Sequence, residues 1–319
     1  NSLSIMIKMR LVAIILLFIL PGMAFSQITY ETVRVDYDSV WEYKNLRIYP
    51  VRGLGAAGEM FSNVITLQEA LATGEATVSE RGSASTTDVH WVKIKNHGNK
   101  PIYVGSGEML IGGRQDRVLV KDTILLPTGE EQLIPSMCIE QGRWSRKEKK
   151  FEYNGYVTPR LRKLLDKSGN QSLVWGEIYS QLKSNKVQSP TLAYIAQKQN
   201  EEYILESNGY LNYFRNKLLK DSSIVGIVCL SGDEVIGTDI YVSQRLFLSQ
   251  AIELIAGYTE EAITGGKAVT VPLEEVINYM DKLLTNEYSQ ELFCKKNGMI
   301  HKIGGEVVHV TGYSNKEEK

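Results

Sequence analysis

The chain is poor in cysteine, has no excess of charge of either sign, and contains no apolar run long enough to cross a membrane. Three cysteines in 319 residues, Cys138, Cys229 and Cys294, allow at most one internal bridge and leave a thiol over. The fold must therefore rest on a buried core, not on a disulfide framework. Lys and Arg number 36 against 37 Asp and Glu, so there is no basic excess to hold a nucleic-acid backbone. No stretch of Pro, Gly or Ser is long enough to act as a free linker. The longest apolar run, Leu11 to Leu20, is about half of the ~20 residues that a spanning helix needs.

That run has a different pattern. Lys8 and Arg10 precede it, Pro21-Gly22 breaks it, and Ala24-Phe25-Ser26 follows with small residues at the positions a signal peptidase reads. The expectation is a signal peptide over 1–26, cleaved after Ser26, and a secreted or periplasmic protein beginning at Gln27. The alternative is a retained anchor stretching from Ile5 to Phe25. Removing 1–26 deletes Lys8 and Arg10 and no acid, which takes the formal charge from -1 to about -3. No transmembrane segment remains after cleavage.

What is present reads as an ordinary globular chain, 43% apolar, long enough to bury a large core. From Gln27 to Pro50 it reads as extended, and Thr66 to Ala72 reads as a short helix with a Thr66/Glu69 capping box and Gly74 at its end. Val89–Lys95 and Pro101–Val104, on either side of Asn96-His97-Gly98-Asn99, predict a β-hairpin. Further strands are expected at Val118–Leu126 and Gln132–Glu140. After Trp144 the pattern changes. Leu161–Lys167 and Gln171–Ser184 are helical, and Ser189-Pro190 opens a longer helix towards Leu219. Ile224–Leu230 has the unbroken apolarity of a buried strand, turned at Ser231-Gly232-Asp233. Phe247, Ala251, Leu254, Ile255, Tyr258 and Ala262 share one helix face, and Pro272 opens another helix carrying Leu273, Val276, Ile277, Met280 and Leu284. Two short strands are expected between Met299 and Tyr313. The fold class is therefore α+β. An antiparallel sandwich or barrel-like half (27–145) packs against an α/β half with amphipathic helices (146–313), followed by a polar tail (314–319).

The densest block of unusual chemistry runs from Gly105 to Trp144. Within it GEMLIGGRQDRVL (107–119) and PSMCIEQGRW (135–144), with LQEALATG (67–74), VSE (78–80) and KNHGNKPIYV (95–104) upstream, resemble the ARPP-1 family, whose proteins are associated with ADP-ribosylglycohydrolases and the rhodanese-phosphatase superfamily. The Ile-Val-Gly run near 224 and the helix after Tyr241 extend the likeness over most of the chain. The resemblance implies an association with ADP-ribose chemistry, not a particular reaction.

On their own terms the residues of the block divide into two readings. As a site, Glu108, Gln115 and Asp116 would line a polar pocket, Arg117 and Arg143 would hold an anionic group through their planar forks, and Trp144 would stack on a base or sugar. Cys138 and Glu140, next but one on a strand, would face the same way. As a scaffold, Glu108 would pair with Arg114, Arg117 or Arg143, Cys138 would be a semi-buried thiol, and Trp144 would cover the core. A carboxylate near a thiol raises its pKa and argues against a nucleophile. Gly112-Gly113-Arg114 lacks the Lys-Ser/Thr and the helix of a phosphate loop and predicts a bulge. The four histidines, His90, His97, His301 and His309, show no ligand spacing, so no metal and no cofactor are expected. Three function classes follow: a secreted or periplasmic binding module, whose partner is a nucleotide-like molecule or another envelope protein; an enzyme acting on ADP-ribose or a related nucleotide; and a structural envelope protein.

Overall fold

The computed structural model describes residues 27–316 apart from 56–60, 62, 84, 86, 87 and 222. The expected signal peptide falls outside the described residues. Three sheets organise the rest. The largest holds β1 (Val33–Val35), β2 (Trp41–Tyr43), β3 (Leu46–Gly53), β13 (Ile224–Ser231), β14 (Glu234–Tyr241), β15 (Gly298–Ile303) and β16 (Glu306–Tyr313). Its order is β1-β3-β13-β14-β16-β15, with β2 also on β3, and every pairing is antiparallel.

The apolar run of β13 is buried at every position because this sheet is covered on both faces. Ile227 and Cys229 pack with Phe247, Leu254 and Tyr258 of helix α5 (Gln244–Gly265). Val228 and Leu230, on the opposite face, pack with Val276, Tyr279 and Met280 of α6 (Leu273–Leu284) and Phe293 of α7 (Glu287–Asn297). Period-two alternation thus feeds two separate cores from one strand.

The second sheet has the order β12-β8-β9-β11-β6-β5, made of β5 (Ala76–Glu80), β6 (Trp91–Asn96), β8 (Glu108–Gly113), β9 (Arg117–Leu119), β11 (Glu131–Cys138) and β12 (Lys149–Tyr156). Its end strands β5 and β12 come back together, so the sheet is nearly a closed barrel, and the Glu80 amide donates to Glu148 Oε1 at 2.7 Å across the seam. The third sheet is small: β10 (Thr123–Leu125), β7 (Ile102–Val104) and β4 (Ile65–Thr66). The α+β class and the barrel-like first half are thus both present. The sheets do not divide at residue 145, however: β1–β3 lie in the large sheet, and β12 completes the barrel.

Local signals set several elements as expected. Helix α1 (Leu67–Thr73) has the full Thr66/Glu69 capping box and ends at Gly74 with φ 78°. Helices α2 (Pro159–Ser168) and α3 (Gln171–Ser184) start on the caps Thr158 and Asn170. Three expectations fail. The single strand expected over Val118–Leu126 is broken, with β9 in the barrel and β10 in the small sheet. The hairpin across 96–99 does not form: β6 pairs with β5 and β11, while β7 pairs with β10 and β4. Asn96 turns the chain by donating to the carbonyls of Lys100 and Leu125 instead. The helix expected from Ser189 begins only at Asn200, the cap of α4 (Glu201–Leu218), which runs unbroken through Asn208-Gly209. The preceding stretch is held against the end of the signature block, with Gly142 N on Thr191 O at 2.8 Å and Tyr194 N on Ile139 O at 2.9 Å. Backbone donors used there are lost to a helix.

Candidate functional site

The signature residues separate into three places. Arg117, on β9, is fully buried. Its Nη2 lies 3.2 and 3.0 Å from the two Glu80 oxygens, and Nη1 lies 2.8 Å from Cys138 Sγ and 3.4 Å from Gln115 Oε1. Glu80 also accepts the Arg114 amide at 2.7 Å. This buried ion pair closes the barrel on the β5 side. Burial pushes the Cys138 thiol up to about 11, against the pull of Arg117 and with Glu80 adding to the rise. It is a sealed thiol, not a nucleophile. The carboxylate that acts on it is Glu80, not Glu140.

Glu108 goes elsewhere. It is completely buried, accepts the Gly105 amide at 3.0 Å, and meets none of the three arginines expected to pair with it. Burial lifts its carboxyl well above the ordinary range despite that backbone donor, and nearby Asp122 adds to the shift. Burial therefore favours the protonated, uncharged form of this carboxyl.

The third group is the one that reaches solvent. Arg143 donates to Asp116 Oδ1 at 2.7 Å and to Glu140 Oε2 at 2.5 Å, with its side chain 19% exposed. Arg143 Nη2 also reaches Gly112 O at 2.8 Å, and Thr191 Oγ1 donates to the far oxygen of Glu140 at 2.8 Å. Gln115 braces the turn through the Glu140 carbonyl at 2.9 Å. Burial, then the nearby Glu140, raises the Asp116 carboxyl, while Arg143 and the Gly112 amide hold it down. The glycine pair makes room here. Gly112 has φ 119°, and a Cβ on it would sit 2.2 Å from the Lys150 carbonyl. The β8–β12 register slips opposite this point, which is the expected bulge. Asp116, Glu140 and Arg143 form one wall of an open depression of about 450 Å³, rimmed by Lys149, Lys150 and Glu152. Trp144 is 44% exposed and covers no core.

A second polar cluster, at the junction of barrel and large sheet, escaped the sequence reading. His301 and His309 are eight apart, and the β15–β16 turn makes them direct cross-strand partners. Their rings stack at 4.7 Å, and Tyr241 stacks on the other side of His309 at 4.0 Å. Asp122, which follows β9, meets both: His309 Nδ1 lies 2.9 Å from Oδ2 and His301 Nδ1 lies 3.3 Å from Oδ1. The ligating atoms of these three residues all lie within 4.8 Å of one another. Asp122 also accepts the Ser106 amide at 2.8 Å and the Tyr103 hydroxyl. On the far side His309 Nε2 lies 2.8 Å from Asp239 Oδ1. Asp239 in turn takes a two-pronged Arg162 at 2.8 and 2.7 Å and the Tyr258 hydroxyl at 2.7 Å. Every one of these groups is buried. Burial works against charge on both carboxylates, yet the imidazoles hold Asp122 low and Arg162 holds Asp239 well below the usual range. Burial likewise opposes charge on His309, but its two carboxylate neighbours raise it, whereas burial pushes His301 down. The only sequence signal was two histidines on either side of Gly304-Gly305, and a bulge between Val307 and His309 brings them opposite one another.

An α+β protein with a nearly closed barrel, a large two-faced sheet and a signature block split between core and surface is the class these observations define. The model of the ARG and Rhodanese-Phosphatase-superfamily-associated Protein domain, ARPP-1, matches residues 34–308, and the chain belongs to that family. No curated protein and no solved structure matches the chain. Among the described residues, no helix is long and apolar enough to cross a membrane.

Proposed function

We propose that the chain is a secreted or periplasmic binding module, and that its site is the depression walled by Asp116, Glu140 and Arg143. The supporting observation is the division of the signature charges. Arg117 and Glu108 are spent inside the core, whereas these three line an open cavity. Arg143 is pre-positioned by two carboxylates and two backbone carbonyls, so its one remaining N–H, on Nη1, can act without ordering cost. Lys149 and Lys150 stand exposed on the rim and make no ion pair among the described residues. Cations that take a phosphate, beside carboxylates that take hydroxyls, match a phosphorylated sugar or a nucleotide. ADP-ribose is the first such ligand to try, given the family's association. Secretion rests on the pattern of Lys8, Arg10 and the apolar run after them.

A thermal-shift titration tests the reading. ADP-ribose, AMP and ribose 5-phosphate are added to the wild-type chain and to Lys149→Ala/Lys150→Ala, whose altered side chains are exposed and leave the fold intact. Stabilisation by one of these ligands, reduced at least tenfold in apparent affinity in the variant, supports it. If no phosphorylated ligand shifts the melting temperature, the Asp116–Arg143–Glu140 group is a structural network only. An enzyme reading would require turnover of the bound nucleotide.

A further inference from the structure

We propose that Asp122, His301 and His309 form a binding site for one divalent first-row transition ion of the Zn²⁺ class. The site lies in the junction between barrel and sheet and is separate from the surface depression. Three features carry the proposal. The residue types are those that such ions take in proteins, two imidazoles and a carboxylate. The three are gathered within reach of one ion, because ligands around a tetrahedral ion with bonds of ~2.0 Å stand about 3.3 Å apart. Here the imidazole nitrogens lie 2.9 and 3.3 Å from the two separate oxygens of Asp122, and one ligating atom from each of the three residues lies within 4.8 Å of the others. The outer contacts are those of a metal site as well. Both histidines aim Nδ1 at one carboxylate while Nε2 is engaged behind, His309 by Asp239 at 2.8 Å and His301 by Thr311 Oγ1 at 3.3 Å. Once an ion replaces the Nδ1 proton, an outer partner on the second nitrogen holds the tautomer in which the first offers its lone pair. Asp239 is itself clamped by Arg162, so this outer shell is rigid.

The geometry also dictates how an ion would enter. The two rings lie only 12° from parallel, and an ion must lie near the plane of each imidazole that binds it. One ring therefore has to leave the stack. His309 is wedged between Tyr241 and His301, whereas His301 sits on β15, the edge strand of the sheet, and is 7% exposed. His301 is the ring that turns. Binding forms a metal–nitrogen bond at His309 Nδ1 and sends the proton that faced Asp122 to solvent, while His301 exchanges its proton between nitrogens. With the ligands enclosed, the ion is a structural fastener between barrel and sheet.

The test uses the untagged chain, stripped with chelator and titrated with Co²⁺ and Zn²⁺. The expected result is one ion per chain, a visible Co²⁺ absorption band typical of nitrogen and oxygen ligands, and a melting temperature raised by about 5 °C at a hundredfold excess over Kd. His301→Gln should abolish the band, and His90→Gln/His97→Gln should keep it. X-ray absorption of the Zn²⁺-loaded wild type reads two imidazoles with no substitution at all, so the test survives if His301→Gln does not fold. The proposal is overturned if the stripped wild type takes up no ion, if the band persists in His301→Gln, or if absorption reports no imidazole. Any of these would leave the cluster as a proton-bridged ion network.

Discussion

The Arg117 guanidinium has no exposure at all, and Glu80, equally buried, is its only acidic partner among the described residues. Losing one member of such a pair strands the other in a medium of low polarity. Arg117→Met is therefore expected to cost ~3–5 kcal/mol. The double variant Glu80→Gln/Arg117→Met should recover part of that loss, because no buried charge is left alone. Urea unfolding of the four-membered cycle measures both numbers, and a double variant no better than Arg117→Met would contradict the argument. Glu261, beside Arg160 at 3.2 Å with 14% of its side chain exposed, is a titrating case. Burial pushes its carboxyl from an ordinary 4.5 up to about 7, against the pull of Arg160. A raised folded pKa means the folded state holds the proton more tightly, so the stability it contributes is complete below about 4.5 and is lost as pH rises through about 7. Relative to Glu261→Gln, the wild type should lose stability between those values. A difference that is flat with pH would show that the carboxyl titrates normally.

Among the elements, the contrast between two glycines is the sharpest test. Gly169 ends α2 at φ 55° with nothing near the position of a Cβ, whereas Gly112 at φ 119° faces the Lys150 carbonyl across the bulge. Gly169→Ala should lose only the ~1–2 kcal/mol of a left-handed residue. Gly112→Ala should lose clearly more, since strand β12 must also move, and comparable thermal melts for the two would refute the bulge account. Elements set by neighbours in the chain were legible beforehand: the capping box of α1, the buried run of β13, and the apolar faces of α5 and α6. The missed ones depended on distant partners. The turn at 96–99 has hairpin chemistry, but β7 finds β10 and β4, and 191–194 is drawn against 139–142 instead of coiling from Pro190.

At the scale of the whole molecule the two halves of the chain are built into each other. Strand β12 closes the barrel, β3 pairs with β13, and the chain Asp122–His309–Asp239–Arg162 ties barrel, sheet and helix α2 together. A fragment of residues 27–145 should consequently fail to fold. It lacks the edge that seals the Glu80–Arg117 pair, and its β1–β3 strands have no sheet to join. Amide proton dispersion in a two-dimensional NMR spectrum would decide this, with a dispersed, cooperative fragment as the contrary result.

The amino-acid sequence determined by itself what depends on short range: charge balance, the absence of a disulfide frame, caps, faces, the family signature and the place where unusual chemistry concentrates. It could not tell which charges of that signature stay in water. Glu108, Arg117 and Arg143 stand close together in the chain, yet one becomes a buried acid without an ion-pair partner among the described residues, one a sealed cation and one the wall of a cavity, because burial depends on strands brought in from elsewhere in the chain. The tertiary structure alone decided the second cluster. Two histidines, two aspartates and an arginine spread from 122 to 309 meet only because β15 folds back on β16 and the barrel docks against them. Such a meeting has no periodicity and no local spacing through which it could be read.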